Sequence, residues 1–283
     1  PEDIANIYKL QNEMETKTLS VWLTGGEMPK GTYDPDKEGI PIMLAMKLSP
    51  NAYFERVNRL LNDNPAYSED GELLSELAEL GIGAGCSFKS SLSPVDLEKF
   101  WQEMKDRLLP KLIEETSCFM VRNGNFKFYG DPISRFGTQY GYRCLVAIAG
   151  FGANPVDVAV YLKAEEDNKG EKLDAKNRYL LHFNADGLPP VGKYGFWSIT
   201  AYGDDDFLIS NPIERYAISN RNDFRLNDDN SLDLILQTEE PNENRENWLP
   251  VGERGFHLYL RIYRPDNSVL NGTWKAPKIT KID

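Results

Sequence analysis

The sequence predicts an α+β protein in which a mostly helical part, residues 1–153, packs on a C-terminal antiparallel, jelly-roll-like β-sandwich, residues 154–283. The first supporting observation is a change of period. Before about residue 153 apolar residues recur at helical spacing, and from residue 156 the period falls to two. The second is that the downstream half holds six short runs rich in β-branched and aromatic residues, separated by Gly, Pro, Asn and Asp clusters, with no helical pattern between them. Such runs fit an antiparallel sandwich or jelly roll, because the strands of a parallel sheet alternate with helices.

Upstream, Ile4, Ile7 and Leu10 mark a first helix, and "YFERVNRLL" and "ELLSELAEL" mark two more. "GIGAG", which follows the second of these, lacks the Lys-Ser/Thr ending of a phosphate loop and reads as a helix stop. The clearest start signal lies in "SPVDLEKFWQEMKDRLLPKLIEETSCF". Ser93 is an N-cap, Pro94 takes the first helical position, and Asp96 sits in the first turn, where the helix dipole favours negative charge. Pro110 should kink or split that helix, since it removes a backbone donor. "ISRFGTQYGYRCLVAIAG" predicts a further helix, in which Gly137 and Gly141 either lower helix propensity or permit close backbone packing. Downstream, "VDVAVYLK", "RYLLHFN", "FWSITAY", "IERYAIS", "LDLILQT" and "FHLYLRIY" each predict a strand. "NDDNS" reads as the turn of a hairpin joining residues 224–226 to 232–237, and "QTEEPNENRENWLP" as a long polar loop.

Composition narrows the classes of function. A chain of 283 residues with 41% hydrophobic content and 5 Trp, 14 Tyr and 13 Phe can build a sizeable core. Its net charge of -12 repels nucleic-acid phosphates, so no nucleic-acid partner is expected. No apolar run approaches the roughly 18 to 20 residues that cross a bilayer, and "PEDIANIYKL" lacks the charge-then-apolar order of a signal peptide. A soluble chain without membrane insertion is expected, and no compartment is assigned. Cys86, Cys118 and Cys144 are odd in number and without CxxC spacing, so free thiols are expected, with the apolar surroundings of Cys144 raising its pKa.

Neither a metal nor a cofactor is expected. "DPDKEG" begins like a calcium loop at Asp34, Asp36, Glu38 and Gly39, but its twelfth position, which should supply a bidentate Glu, is Ala45. "GDDDF" and "NDDN" read as solvated acidic turns. His182 and His257 are the only histidines, which excludes a multi-histidine metal site. Ser198 and His257 could enter a Ser-His-Asp arrangement, yet the chain has no GxSxG elbow and Ser198 lies within a strand pattern. "NGT" at Asn271 is a glycosylation sequon, although turn chemistry alone accounts for Asn-Gly.

The alternation inside two strands singles out the candidate site. In "FWSITAY" one face carries Phe196, Ser198, Thr200 and Tyr202 and the other Trp197, Ile199 and Ala201. In "FHLYLRIY" one face carries Phe256, Leu258, Leu260 and Ile262, and the other His257, Tyr259, Arg261 and Tyr263. The apolar faces are core. The opposite faces combine hydroxyls, phenols, an imidazole and a guanidinium, the mixture of a small-molecule pocket or of a buried interface with the helical part, and Arg215 could join either. Arg261 is flanked on its own side by Tyr259 and Tyr263. Its planar fork would either clasp a protein carboxylate such as Glu214 or Asp131, or present itself to a ligand.

The residues also carry a resemblance. "PP" at 189–190 is followed by "FWSITAY", then "NPIERY", "NWLP" and "RIYRP", and in this order they resemble the C-terminal module called domain of unknown function 1214. Where that family usually has Asp-Gly before a strand, Asn230 stands here, a residue that tolerates a left-handed turn. "YFERVNRLLNDNPAYSEDGELLSELAELGIGAG" resembles the middle of longer proteins that pair this module with domain of unknown function 1254, whose N-terminal β-rich region has no counterpart here. The resemblance implies a jelly-roll-like domain beside a helical region and assigns no reaction.

Three classes of function therefore stand. The first is a binding or assembly module built on the jelly roll. The second is an enzyme acting on a small polar or carboxylate-bearing substrate in a pocket of the β domain, for which Glu214, Asp131 or Asp233 would supply acid or base. The third is a viral or other shell component that forms a homo-oligomer or assembles with partner chains, a use to which jelly rolls are also put.

Overall fold

The structure is a computed structural model that describes residues 2–31 and 41–282. The chain forms two compact units, Pro1–Leu48 and Ser49–Asp283. The first contains α1 (Glu2–Glu13), α2 (Leu19–Thr24) and α3 (Pro41–Met46). Thr18 caps α2 by accepting from the Val21 amide, and Gly25 ends it in the left-handed conformation. The calcium-like stretch at residues 34–39 lies outside the described residues.

The second unit holds both helices and sheets. Its helices are α4 (Pro50–Asp63), α5 (Gly71–Ala78), α6 (Pro94–Thr116), α7 (Tyr140–Ala149) and α8 (Asn267–Leu270). Ser93 accepts from the Asp96 amide at the start of α6, as the sequence predicts. Pro110 does not split this helix. The carbonyl it leaves without a partner belongs to Asp106, an exposed position where water can take the bond. The helix expected from Ile133 begins only at Tyr140, because Ser134 and Gly137 both adopt positive φ. Gly141 serves close packing, the second of the two roles the sequence allows it. A Cβ there would lie 3.6 Å from Leu112 and 3.7 Å from Glu115 of α6, so the two helices approach closely at that point.

The strands are β1 (Met120–Asn123), β2 (Phe126–Tyr129), β3 (Ala159–Ala164), β4 (Arg178–Phe183), β5 (Val191–Gly203), β6 (Ala217–Ser219), β7 (Leu232–Gln237), β8 (Trp248–Pro250), β9 (Phe256–Pro265) and β10 (Ile279–Ile282). They form a six-stranded sheet in the order β1-β2-β3-β9-β5-β6 and a four-stranded sheet in the order β10-β4-β7-β8. Every pairing is antiparallel except β7 with β8, which is parallel. Two strands therefore fall upstream of residue 153. The polar stretch after β7 is more ordered than a loop, since it contains β8, and Trp248 and Leu249 are buried there. Residues 224–226 form no strand, so "NDDNS" is a turn without a hairpin, and Asn230 takes the left-handed conformation with φ 63°.

The predicted faces of β5 and β9 are the observed ones. Trp197, Ile199 and Ala201 are buried, and so are Phe256, Leu258, Leu260 and Ile262. They join Tyr179, Leu181 and Phe183 of β4 and Leu232, Leu234 and Leu236 of β7 in one apolar cluster shared by the two sheets. Cross-sheet ring contacts, Tyr179 with Phe256 and Phe183 with Trp197, tie it together. On α7, Tyr142 and Val146 belong to the same cluster, and the Tyr142 hydroxyl donates to the Gly130 carbonyl at 2.9 Å. Its ring lies parallel to that of Phe119 at 4.5 Å.

This packing generates a stability prediction. Leu258 is fully buried where both sheets meet, so Leu258→Ala should lower the unfolding free energy by about 2 to 5 kcal/mol, through lost burial plus a cavity. Chemical denaturation measures it. A loss below about 0.5 kcal/mol would mean that the strand is registered one residue out, which exchanges its faces.

Candidate functional site

The candidate site is built on the face of the six-stranded sheet opposite the shared core. Register decides its composition. On β9, Arg261 lies between Tyr161 of β3 and Ser198 of β5, Tyr259 lies between Lys163 and Thr200, and Tyr202 of β5 faces His257. Lys127 of β2 pairs with Lys163 in turn. Neighbouring strands thus bring cations, phenols and hydroxyls into contact distance on one surface.

Arg261 is at the centre. Its Nη2 donates to the Tyr202 hydroxyl at 2.9 Å, and its guanidinium carbon lies 5.4 Å from the Tyr202 ring centre and 5.1 Å from that of Tyr259. A guanidinium carries five N–H donors. Among the described residues Arg261 makes no ion pair, so the clasp to Glu214 or Asp131 that the sequence allows does not form; both carboxylates lie on exposed positions. Asp233, the third carboxylate considered, is engaged by His182 at 2.6 Å and by Asn227 at 3.1 Å on the four-stranded sheet.

The two lysines are held differently. Glu165 accepts from Lys127 and also pairs with Lys163 at 3.1 Å, so one carboxylate is shared by two ammonium groups. The hydrogen bond from Lys127, with a further contribution from Lys163, lowers the Glu165 carboxyl from 4.5 to about 2 against the opposing effect of burial. Lys163 also stands over the Tyr259 ring at 5.9 Å. Burial raises the Tyr259 phenol even though Lys163 and Arg261 act to lower it, and burial likewise raises Tyr263. Both rings therefore present neutral hydroxyls.

His257 is only 6% exposed and stacks on Tyr202 with ring centres 5.8 Å apart. Burial, aided by Lys163, lowers its pKa against Asp206, Glu165 and Asp204. Its Nε2 comes within 3.1 Å of Asp206 Oδ1 but makes no hydrogen bond there. The distance is that of an ion pair and the alignment is not, and a neutral ring gains little from such an approach.

A cavity of about 430 Å³ opens beside Arg261. The sheet contributes Lys127, Tyr161, Lys163, Tyr259 and Arg261 to its wall; α7 contributes Leu145, Val146 and Ala149, and the loop after α7 adds Phe151 and Asn154. Asn154 donates to the Tyr161 hydroxyl at 2.7 Å. Three basic side chains and no carboxylate line this cavity, in a chain of net charge -12. A second cavity of about 420 Å³ is acidic by contrast, with Asp204, Asp205 and Glu253 in its wall.

Of the residues that the sequence singles out, Tyr259 and Arg261 line the basic cavity and Tyr202 holds Arg261 from beside it. Ser198, Thr200, His257 and Tyr263 share the sheet face without lining it. Arg215 is occupied elsewhere, donating to the carbonyls of Arg245 at 2.7 Å and Trp248 at 2.9 Å. Tyr161 and Lys163 were within reach of sequence reasoning, because "VYLK" places them on one face. Lys127 and Asn154 carried no such signal. Cys86, Cys118 and Cys144 are free thiols, and burial raises that of Cys144. Among the described residues no three His, Cys, Asp or Glu side chains are placed to hold a metal ion, and no helix is long and apolar enough to cross a membrane.

Residues 158–267 match the family model DUF1214, described as a protein of unknown function. That stretch runs from just before β3 through β9 and contains every motif of the resemblance from "PP" to "RIYRP". No curated protein matches the chain. Among solved structures, the VPA0106 protein from Vibrio parahaemolyticus is similar in fold, with a TM-score of 0.63 and 24% identity over 94% of this chain and 62% of its own. The chain thus spans less than two thirds of that protein's length. An uncharacterised protein from Burkholderia cenocepacia shows 15% identity and a TM-score of 0.31, over 69% of this chain and 44% of its own. None of these descriptions states an activity.

The shared carboxylate yields a pH prediction. A carboxyl whose pKa falls on folding contributes stability above its unfolded value, near 4.5, and that contribution is lost as pH falls toward about 2. The Glu165 side chain is 41% exposed, so solvent screening limits the effect to about 1 kcal/mol or less. Glu165→Gln should therefore be slightly less stable than the parent at pH 6 and indistinguishable from it near pH 2. Parallel urea titrations at the two pH values measure the difference.

Proposed function

We propose that the protein is a binding module that takes a small anionic molecule in the basic cavity, with Arg261 as the anchor and Tyr202, Tyr259, Tyr161, Lys163 and Lys127 around it. One observation carries the reading: Arg261 is oriented by the Tyr202 hydroxyl and by two rings, has no carboxylate partner among the described residues, and lines a cavity. Positively charged groups half-removed from water favour an incoming anion, and a planar guanidinium fork suits one that is planar and bidentate. The cavity volume falls in the roughly 300 to 1,000 Å³ range of small-molecule sites. Ser198, Thr200, His257 and Tyr263 support the anchor from the same face, whereas Arg215 braces the β7–β8 region.

The same reading takes the two sheets as the leaves of a jelly-roll-like sandwich. Their shared core supports this. It also takes the upstream part as the middle portion of longer proteins carrying domain of unknown function 1254, on the resemblance of residues 53–85. A homo-oligomer is compatible with a binding role and is not needed to complete the cavity.

Arg261→Gln tests the anchor. Because a ligand anchor contributes nothing to folding beyond an ordinary partly exposed side chain, stability should stay within about 0.5 kcal/mol of the parent. Binding of small carboxylates, measured calorimetrically, should weaken about tenfold or more, the loss of a charge-assisted hydrogen bond. Unchanged anion binding together with a stability loss above about 2 kcal/mol would make Arg261 a structural clasp instead.

A further inference from the structure

Resting on the anion-pocket reading, we propose that the ligand is an amphipathic monocarboxylate, its carboxylate on Arg261 and a compact apolar body against α7 and the loop that follows it. The two sources of the cavity wall differ in chemistry. The sheet supplies every charged group, Lys127, Lys163 and Arg261, whereas α7 and its loop supply Leu145, Val146, Ala149 and Phe151. A fully hydrophilic anion would leave that second wall in contact with polar atoms that cannot compensate it. Apolar surface gains when it is removed from water.

The exposed aromatic at the rim points the same way. Phe151 is 91% exposed although it lines the cavity, and it stands between Gly150 and Gly152. Covering a hydrocarbon body would bury it.

The shape of the unpaired cation sets the anionic group it takes. Lys127 and Lys163 are both engaged by Glu165, while Arg261 has no carboxylate of its own. One planar fork matches one planar carboxylate. The volume of about 430 Å³, near the lower end for ligand sites, limits the body to a small one.

Isothermal calorimetry on the full chain tests this with acetate, butanoate, hexanoate, octanoate, octanamide and inorganic phosphate. Affinity should rise about fourfold for each methylene that enters the cavity, the factor corresponding to ~0.8 kcal/mol. Octanamide should bind at least tenfold more weakly than octanoate. Ala149→Trp, which fills the apolar wall from an exposed position, should flatten the chain-length dependence, so that octanoate no longer binds more tightly than butanoate. Its denaturation curve verifies that it folds. If acetate or phosphate binds as tightly as octanoate, with both weakened by Arg261→Gln, the amphipathic class is overturned and the anion pocket stands. Equal binding of octanamide and octanoate overturns the carboxylate. Absence of binding by every probe overturns both readings.

Discussion

The pairing of β9 with β3 on one side and β5 on the other is the constraint from which the candidate site follows. Leu258, Leu260 and Ile262 are fully buried on one face of β9, and the pleat then leaves no choice about where Tyr259, Arg261 and Tyr263 project. The large free energy of apolar burial thereby fixes the position of groups that contribute little to stability themselves. A slip of one residue would drive Arg261 into the apolar cluster, where an unpaired charge is prohibitive. A guanidinium carried on a central strand, with neighbours paired on both sides, is positioned far more rigidly than one on a loop.

Electrostatics on this face are local and run against the charge of the whole chain. Carboxylates outnumber basic residues by 44 to 32, yet the cavity wall carries three cations. At physiological ionic strength a surface charge is screened beyond about 8 Å, so the distant carboxylates scarcely reach the cavity. Glu165 does reach it, and its low pKa keeps it charged and bound to the two lysines at any pH well above 2. The aromatic rings beside Arg261 exclude water from one side of it without neutralising it. The result is one cation without a carboxylate partner among the described residues, oriented and partly desolvated, beside two lysines that share one carboxylate.

What the sequence revealed of this arrangement, and what it concealed, follows from the range of each signal. The faces of β5 and β9 could be read directly, because side-chain alternation is local and both strands are long enough to display it. The helix stop near Gly81 and the Ser93 cap were local signals too. Strands β1, β2, β8 and β10 have three or four residues each, too few to establish a period of two against their surroundings. Lys127 therefore had no face to be assigned to, and its partnership with Lys163 depends on a pairing between strands far apart in the chain. Asn154 enters only because the loop after α7 turns back over the sheet. The late start of α7 was hidden for a different reason: apolar spacing continued through Phe136, while Ser134 and Gly137 broke the helix by conformation.

Arg215 and Arg261 separate two roles that the motifs present side by side. Within "NPIERY", Asn211 donates to the Ile209 and Arg215 carbonyls and accepts from the Arg215 amide, which locks the turn and aims Arg215 outward from it. Arg215 then reaches the carbonyls of Arg245 and Trp248 as the chain enters β8. Asn247, in "NWLP", completes the brace by bonding the Arg225 amide and carbonyl, and the Trp248 indole donates to the Gln237 carbonyl. Of these carbonyls, those of Trp248 and Gln237 belong to buried residues beside a short parallel strand, where leaving either unpaired would cost about 1 to 3 kcal/mol. Two of the motifs are thus satisfied by backbone accounting alone, and their polar residues are already spent on the fold. Arg261 in "RIYRP" has no such employment: its hydrogen bond among the described residues is to a phenol that orients it, and it lines a cavity of about 430 Å³.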